Sequence, residues 1–449
     1  MKARLVSLFF LSILLLPAAA KKPQVQTFPD GTALSEWFLS EEVPTLESLG
    51  KVYKLSDYGI ISSISEVQTA AIQRVIDEAA KTGGVVYVPE GIFKSGALHF
   101  PQGTNLYLCK GAVLLGSENI LDFPIEMTRI EGQTCKYFPA LINGDHLDGF
   151  TIAGEGIIDG NGSDYWRRFR LRRQWNPKCT NKDEMRPRLV HFEYCKNLTI
   201  SGVNLQNSPF WTCHLYQCSN VRLLNVRYYS PRYPIASASA DGLDLDACSN
   251  VVVRGCRFTV NDDAVCFKGG KGPWADRDTT NGPCENILVE RCLFDRTTGS
   301  CVTCGSEAIH VRNVLIRNCE STGGAHVLLL KLRPDTPQRY EYITVDNVKG
   351  RVKGFLDFTR WRQFFDLQGR EDIPKSYCEH IVMKNCEVEC NSFIGGQPCD
   401  EEYHLTGFKF ENLKIKTLKA EWNHELFKQY EMNNVDVEEV SELSTPLPF

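Results

Sequence analysis

The sequence has no surplus of positive charge and, beyond its N-terminus, no long apolar run. Its 50 lysines and arginines are outnumbered by 55 aspartates and glutamates, which gives a formal net charge of −5. A nucleic-acid-binding protein needs a basic face, so we expect no nucleic-acid partner and no stable membrane insertion. The cysteines and histidines lack the paired spacing of a closed zinc site. The sequence therefore predicts neither a metal nor a cofactor.

The one long apolar run lies at the N-terminus. Leu5–Pro17 follows Lys2 and Arg4 and precedes Ala18–Ala20, which is the order of a cleaved secretion signal. The run is short for a membrane span, which needs about 20 residues. We expect residues 1–20 to be a signal peptide and the mature protein to be secreted or periplasmic. A retained membrane anchor is the alternative.

Helical periodicity is scarce along the mature chain, where it marks only Val67–Lys81, before Gly83 and Gly84. A strand-like pattern recurs instead, with a turn residue followed by alternating apolar positions. Its clear copies are Asn197–Leu205, Asn220–Tyr228, Asn250–Phe258, Asn286–Phe294 and Asn313–Glu320. Weaker copies begin near Asn105, Gly149, Tyr342, His380 and Gly407. Because no helical pattern separates the strands, the sequence argues against a βαβ fold.

The repeat predicts an all-β solenoid, a right-handed parallel β-helix whose turns stack about 4.8 Å apart. Val67–Lys81 is expected to cap its N-terminal coil. We divide the chain into a signal peptide at 1–20, an N-terminal extension at 21–50, a parallel β-helix catalytic domain at 51–432 and a peripheral acidic tail at 433–449. An antiparallel sandwich is the alternative fold.

Eighteen cysteines in an exported protein raise the possibility of a disulfide framework. Several of them recur at one position of the repeat, however, and buried thiols pack as small apolar residues. One interior ladder is expected to contain Cys256, Cys292, Cys319 and Cys386. The pairs Cys301 with Cys304 and Cys390 with Cys399 remain candidates for oxidation.

Aspartates cluster in two segments of the sequence, which are separated by about one predicted turn of the solenoid. Asp241 is followed by Asp244 and Asp246, and Asp262 is followed directly by Asp263. On a β-helix this separation stacks Asp241 and Asp262 on neighbouring turns. Crowded carboxylates repel one another, so at least one should keep its proton to a higher pH, as glycoside hydrolysis requires. A calcium site or turn-forming aspartates are the alternatives.

Two cations, Lys331 and Arg333, share one face of a predicted strand. They are candidates for binding a sugar carboxylate, to which arginine offers paired hydrogen bonds. A solvated strand edge is the alternative.

Several segments together resemble glycoside hydrolase family 28, the polygalacturonase family, over almost the whole mature chain. They are Asp57–Gly59 with Thr69–Gln73, Val88–Gly91, Gly154–Gly160, Arg186–Pro187 and Asn207–His214. The resemblance implies inverting hydrolysis of α-galacturonide linkages in pectin. It makes Asp262 the general acid, with Asp241 and Asp263 holding and deprotonating the water. A pectic polysaccharide is then the partner, and we expect a monomer.

Two motifs of the family are altered in this chain. The Gly-His-Gly motif falls in Thr298–Gly305, which has no His, so Gly299 or Ser300 fills the slot beside the aspartates. The Arg-Ile-Lys motif falls on Leu329–Lys331, which loses the Arg, or after a shift of two residues on Lys331–Arg333. Family members that cut rhamnogalacturonan similarly lack this His. We therefore expect a substrate such as rhamnogalacturonan or another mixed or branched pectin.

Other functions remain open from the sequence. Polygalacturonase action on homogalacturonan, exo or endo, is one alternative. A pectate-type lyase is a second, and a non-catalytic pectin-binding solenoid is a third.

Some single residues and segments are further candidates. His214 is assigned to the substrate groove, with a place in the wall as the alternative, whereas His310 and His326 are interpreted as structural or solvent-facing. The aromatic and Arg-rich run Asp357–Phe365 is expected to form a wall of the cleft or a packed loop. Insertions at Asp164–Glu184 and Lys268–Cys284 could close one end of the cleft.

Overall fold

The structure is a computed structural model that describes residues 25–444. The expected signal peptide at 1–20 lies outside these residues, as do the last five residues of the expected tail. Across 25–444 no helix is long and apolar enough to cross a membrane.

The chain winds into a right-handed parallel β-helix with three sheets, here named A, B and C. Sheet A contains Val52–Lys54, Val85–Val88, Asn105–Leu108, Thr151–Gly154, Thr199–Ser201, Ser219–Leu224, Ser249–Arg254, Cys284–Glu290, His310–Ser321, Arg339–Arg351, Ser376–Lys384, Tyr403–Thr406, Phe408–Lys419 and Tyr430–Glu439. Each strand pairs in parallel with its counterpart on the next turn.

Sheets B and C follow sheet A within each turn. Sheet B contains Ser63–Val67, Gly91–Ser95, Ala112–Gly116, Ile157–Asp159, Asn204–Gln206, Arg227–Tyr229, Arg257–Thr259 and Leu293–Phe294, and continues in the long strands of the last turns. Sheet C contains Leu98–His99, Ile142–Asp145, Val190–Glu193, Cys213–Tyr216, Leu243–Asp246, Val265–Lys268, Val302–Cys304, His326–Leu332 and Gly354–Arg360. The strand Glu387–Gly395 runs from sheet B into sheet C.

Few elements lie outside these sheets. An antiparallel hairpin, Glu126–Ile130 with Gln133–Tyr137, covers part of sheet C. The α-helices are α1 (Glu36–Leu39), α2 (Thr69–Ala80) and α3 (Ser163–Trp175). Short 3-10 turns occur at Leu46–Leu49, Leu55–Tyr58, Ile120–Asp122 and His424–Leu426.

The repeat predicted from the sequence corresponds to a ladder of asparagines at the start of sheet A. Its members have left-handed backbone, with φ between 53° and 62° for Asn220, Asn250, Asn286 and Asn313. Each side-chain amide donates to the asparagine of the preceding turn, at 3.1 Å from Asn250 to Asn220 and 3.2 Å from Asn286 to Asn250. Asparagine tolerates this backbone because its short polar side chain bonds locally. The ladder therefore fixes the register between turns.

The predicted interior cysteine ladder is present, with Val348 placed between Cys319 and Cys386. A second ladder was not predicted and contains Cys195, Cys218, Cys248 and Cys284. All eighteen cysteines are unpaired, including the two candidate pairs Cys301 with Cys304 and Cys390 with Cys399. The cysteines of the two ladders pack as small apolar side chains in the core.

The N-terminal end of the β-helix is covered by helix α2, as predicted. Ile72, Val75, Ile76 and Ala79 of α2 are buried. The predicted helix start is corrected, because Val67 ends a strand and is exposed while α2 begins at Thr69. The extension before residue 50 also packs, with Phe28, Leu34 and Phe38 lying on the outer face of sheet A.

The C-terminal boundary is also corrected. A peripheral tail was expected from residue 433, but the strand Tyr430–Glu439 continues sheet A along Phe408–Lys419. Val435 and Val437 alternate along this strand and pack against the core. Their period-2 spacing, which the acidic composition of the segment obscures, makes the strand possible.

Replacing one ladder asparagine should weaken the whole stack. The Asn250→Ala variant loses two amide hydrogen bonds. It also places alanine at positive φ, where no side-chain hydrogen bond offsets the steric strain. Together these effects should lower the free energy of unfolding by about 2 kcal/mol. Asn250→Gly is the matched control, because it loses the same hydrogen bonds but adopts positive φ freely. We expect a lower urea-unfolding midpoint for Ala than for Gly, and equal midpoints would contradict a role for the backbone conformation.

Candidate active site

Four polar residues occupy equivalent positions on successive turns, where the chain enters sheet C. They are Asp241, Asp263, Ser300 and His326, here called the polar column. Backbone hydrogen bonds fix their alignment: Gly242 N donates to Asp263 O at 2.9 Å, Ala264 N to Ser300 O at 2.9 Å and Cys301 N to His326 O at 2.8 Å. The expected stacking of Asp241 on Asp262 is corrected by one residue, since Asp241 aligns with Asp263.

Asp263 is buried and held in the charged form. Lys331 Nζ donates to its Oδ2 at 2.7 Å, and the backbone N–H of Ser300 donates to its Oδ1 at 2.8 Å. Burial alone would raise the pKa of Asp263, but the charge and hydrogen bond of Lys331, with the Ser300 N–H, lower it below its usual value. Asp263 is therefore a carboxylate at any pH near neutrality.

Asp262 has the opposite tendency. Burial and then the charge of Asp263 raise the pKa of Asp262 to about 6. Its Oδ1 accepts a hydrogen bond from the backbone N–H of Asp263 at 3.0 Å. A Cβ at Gly299 would overlap the backbone of both aspartates, so only glycine allows the next turn to approach this closely. Two adjacent carboxyl groups thus favour different protonation states, as acid–base chemistry requires.

Asp241 completes the acidic cluster. Burial, followed by the charges of Asp262 and Asp244, raises the pKa of Asp241 well above its usual value. This direction differs from the ionised state that the resemblance implies for Asp241. The cluster therefore shares at least one proton among its carboxyl groups.

Lys268 provides the positive charge beneath this cluster. Its Nζ lies 3.3 Å from Asp244 Oδ1, 3.5 Å from Glu307 Oε2 and 3.8 Å from Asp241 Oδ2. It also lies over the ring of Trp211 at 4.6 Å. Burial would lower the pKa of Lys268, but the surrounding acidic groups raise it well above its usual value. The ammonium group is charged and neutralises the buried carboxylates.

One group of possible metal ligands occurs here. Asp241, Asp244 and Cys266 place ligand atoms within 4.8 Å of one another. Calcium takes six to eight oxygen ligands, which two carboxyl groups and a thiol do not supply. A cysteine binds zinc as the thiolate, and burial raises the pKa of the Cys266 thiol well above its usual value. The group fits neither ion, and Lys268 already supplies a cation beside it.

The structure corrects the assignment of His214 to the substrate groove. His214 is 0% exposed, and its Nδ1 lies 2.7 Å from a guanidinium nitrogen of Arg188. Arg188 is itself held by Thr128 and Arg129 of the hairpin that covers sheet C. Burial, then His191 and Arg188, lowers the pKa of His214 well below its usual value. His214 is a neutral residue of the wall.

The two candidate cations separate. Leu329 and Lys331 alternate along one strand, opposite Asp357 and Thr359 of the next turn. Lys331 is common to both possible alignments of the altered motif. Arg333 lies beyond the strand and forms two hydrogen bonds of 2.8 Å to Asp335. Lys331 therefore belongs to the acidic site. The guanidinium of Arg333 is paired with Asp335 instead of facing that site.

His326 is the site residue that the sequence analysis missed. Its Nδ1 lies 3.1 Å from Ser300 Oγ, and a Cβ at Gly354 would be 2.6 Å from its Cδ2. Burial lowers the pKa of His326, although Asp357 and Asp263 favour its charged form. The signal was available, because His326 follows Asn313 at the same distance as Asp263 follows Asn250.

The aromatic loop and the insertion that contains helix α3 flank the acidic site. Trp361 of the aromatic run lies under Lys331 Nζ at 4.7 Å, which supports its interpretation as a wall of the cleft. On the side of Asp262, helix α3 encloses a groove of about 510 Å³. The groove is lined by Phe169, Arg170, Arg173, Gln174, Ser237–Ser239, Asn261 and Asp262.

A family model matches this chain. The model described as glycosyl hydrolases family 28 aligns with residues 98–349, which include Asp241, Asp262, Asp263 and Lys331. The chain belongs to glycosyl hydrolase family 28, as its resemblance implied.

Several relatives with curated names carry polygalacturonase descriptions. A probable polygalacturonase from Vitis vinifera is 28% identical over 264 residues, covering 56% of this chain and 51% of that protein. An exo-poly-alpha-D-galacturonosidase from Dickeya chrysanthemi is 25% identical, covering 94% of this chain and 76% of that protein. The chain spans about half the length of the first two relatives, at 51% and 55%.

Solved structures share the fold. An exopolygalacturonase from Thermotoga maritima superposes with a TM-score of 0.72 at 21% identity, covering 88% of this chain and 93% of that one. A polygalacturonase from Erwinia carotovora gives 0.67 at 18% identity, covering 89% and 100%. At these identities the likeness concerns the fold alone, and it confirms the predicted parallel β-helix.

Removing the buried cation should destabilise the protein in a pH-dependent way. The Lys268→Met variant leaves Asp241, Asp244 and Glu307 without their shared partner, at a cost of about 3–5 kcal/mol. Without the cation the folded-state pKa values of Asp241 and Asp244 rise further above their unfolded values, and the pKa of Glu307 is no longer lowered as far. Stability is then lost as pH rises through the folded values, so the loss should be greater at about pH 8 than at about pH 5.

Urea unfolding at both pH values measures this loss. Lys110→Met, which removes an exposed lysine, is the control and should change the midpoint little. A loss for Lys268→Met that is equal at both pH values would contradict its role as the internal cation.

Proposed function

We propose that this protein hydrolyses α-galacturonide linkages in pectin with inversion of configuration. The observation that carries the proposal is the adjacent pair Asp262 and Asp263, whose pKa values are shifted in opposite directions. An inverting glycosidase needs one protonated and one ionised carboxyl group, with a water molecule between the base and the sugar. Asp262 lines the groove beside α3, and Asp263 is the buried residue next to it in the chain.

In this mechanism Asp262 protonates the oxygen of the leaving sugar. Asp263, held ionised by Lys331 and the Ser300 N–H, removes the proton from the attacking water. Asp241 lies on the preceding turn and orients that water, accepting or donating a hydrogen bond according to the proton it shares. The proton that Asp263 gains balances the proton that Asp262 loses, so the pair returns to its starting state by exchange with solvent.

We propose a mixed or branched pectin, such as rhamnogalacturonan, as the substrate. Two features support this choice over plain polygalacturonan. In the alignment without a shift, the family's motif Arg is replaced by apolar Leu329, and its motif His is replaced by Gly299 or Ser300. The polygalacturonase names of the relatives favour homogalacturonan as the alternative. We also propose that the mature chain is exported and that it is a monomer.

Turnover of defined polysaccharides tests this function. We expect faster release of reducing ends from rhamnogalacturonan than from polygalacturonan, and a fall of about 10²–10⁴-fold in the Asp262→Asn variant, the range for a lost general acid. Asp436→Asn, far along the solenoid on the last strand of sheet A, is the control and should keep full activity.

Faster turnover of polygalacturonan would contradict the substrate choice. An unsaturated product would contradict hydrolysis, and full activity of Asp262→Asn would contradict the assigned acid.

The pH dependence of kcat/KM reports the two carboxyl groups in the free enzyme. Asp262 must be protonated, so activity should fall as pH rises through about 6. Asp263 must be ionised, so the acidic limb should lie below the usual pKa of an aspartate. Because Lys331 lowers both values, Lys331→Met should move both limbs to higher pH.

Lys331→Arg is the matched control, because it keeps the positive charge beside Asp263. Its pH profile should stay close to that of the unchanged protein, even if its rate falls. Unmoved limbs in Lys331→Met would contradict the assignment of the two carboxyl groups.

A further inference from the structure

Helix α3 carries an unusual density of arginine. Within Ser163–Trp175 there are five, at positions 167, 168, 170, 172 and 173. The apolar residues Tyr165, Trp166 and Phe169 are buried beneath them. Tyr165 OH donates to Ser117 O at 2.9 Å and Trp166 Nε1 donates to Ser208 O at 3.0 Å. The helix is therefore anchored to the β-helix, and its cationic side is held in a fixed position.

Two of these arginines line the groove that contains Asp262. Arg170 Nε donates to the backbone oxygen of Ala236 at 2.7 Å, and Arg173 Nε donates to that of Cys179 at 3.2 Å. The guanidinium of Arg173 also lies over the ring of Phe169 at 5.0 Å. Each guanidinium is thus oriented through one N–H, and its remaining donors are left for a ligand.

The charges of these two arginines lack a counterion, unlike those of Arg167 and Arg172. Arg167 pairs with Asp164 at 3.0 Å, and Arg172 lies 3.7 Å from Glu184. Neither Arg170 nor Arg173 has a carboxylate within ion-pair distance in the part of the chain that the structure describes. Burial and the charge of Arg173 lower the pKa of Arg170, which agrees with two cations facing the same space.

An anion with a planar, bidentate acceptor suits such a site. Guanidinium groups match carboxylates in this way, and a neutral sugar offers no charge to balance them. We propose that Arg170 and Arg173 form a subsite for the carboxylate of a galacturonate in the leaving-group portion of the substrate. The subsite lies on the side of Asp262, the acid that protonates the leaving oxygen, and it rests on the proposed function. The subsite would bind a galacturonate carboxylate at a place other than the motif position that Leu329 occupies in the alignment without a shift.

The experiment compares two oligosaccharides of the same length, one with free carboxylates and one methyl-esterified. For the Arg170→Met/Arg173→Met double variant we expect kcat/KM on the free acid to fall about 100-fold, about tenfold for each charged hydrogen-bonding group. Turnover of the ester should change little. The Arg167→Met/Arg172→Met variant is the matched control on the same helix and should keep the preference for the free acid.

Binding gives a readout that does not require turnover. In the Asp262→Asn background, calorimetry should show that the double substitution weakens binding of the free-acid oligosaccharide and removes most of its salt dependence. Equal losses on acid and ester, or an equal effect of the Arg167/Arg172 control, would overturn the subsite. Absence of turnover by the unchanged protein on any pectic substrate would instead overturn the proposed function, and the binding measurement would still decide the subsite.

Discussion

The structure depends on one constraint, which is that each turn of the chain must place its residues directly on those of the turn before. Parallel hydrogen bonds fix the spacing, and the asparagine ladder at the start of sheet A fixes the register. Side chains at one position of the repeat therefore form columns. Columns of apolar residues and cysteines form the core, the asparagine column holds the register, and the polar column forms the candidate site.

The polar column shows how this stacking produces chemistry. Asp241 and Asp263 are brought together in a buried place, where like charges and desolvation alone would keep both protonated. Two lysines change this balance, on strands of sheet C that are separated by the strand Val302–Cys304. Lys331 donates a hydrogen bond to Asp263 and favours its charged form. Lys268 lies close to the carboxyl groups of Asp244, Glu307 and Asp241. Asp262, one residue outside the column, keeps a raised pKa and can act as an acid.

Much of this was predictable because a repeat carries its own register. The asparagine repeat predicted the strands and the cysteine ladder. It was not used to predict which aspartate aligns with Asp241, although Asp263 follows Asn250 at an offset of 13 residues. The same offset would have identified His326, had it been applied to one more turn. What failed depended on contacts outside the repeat. The hairpin and Arg188 bury His214. Arg333, beyond the end of its strand, forms hydrogen bonds to Asp335. Helix α3 lies in an insertion, and the repeat does not specify what an insertion packs against.

The stereochemistry of the product tests this account most directly. If Asp263 activates a water molecule on the opposite face of the sugar from Asp262, hydrolysis of an α-galacturonide must first release the β-anomer. Proton NMR of the reaction, recorded before the product mutarotates, should show the β-anomeric signal appearing ahead of the α signal. Initial appearance of the α-anomer would mean retention through a covalent intermediate, and would contradict the roles given to these two aspartates.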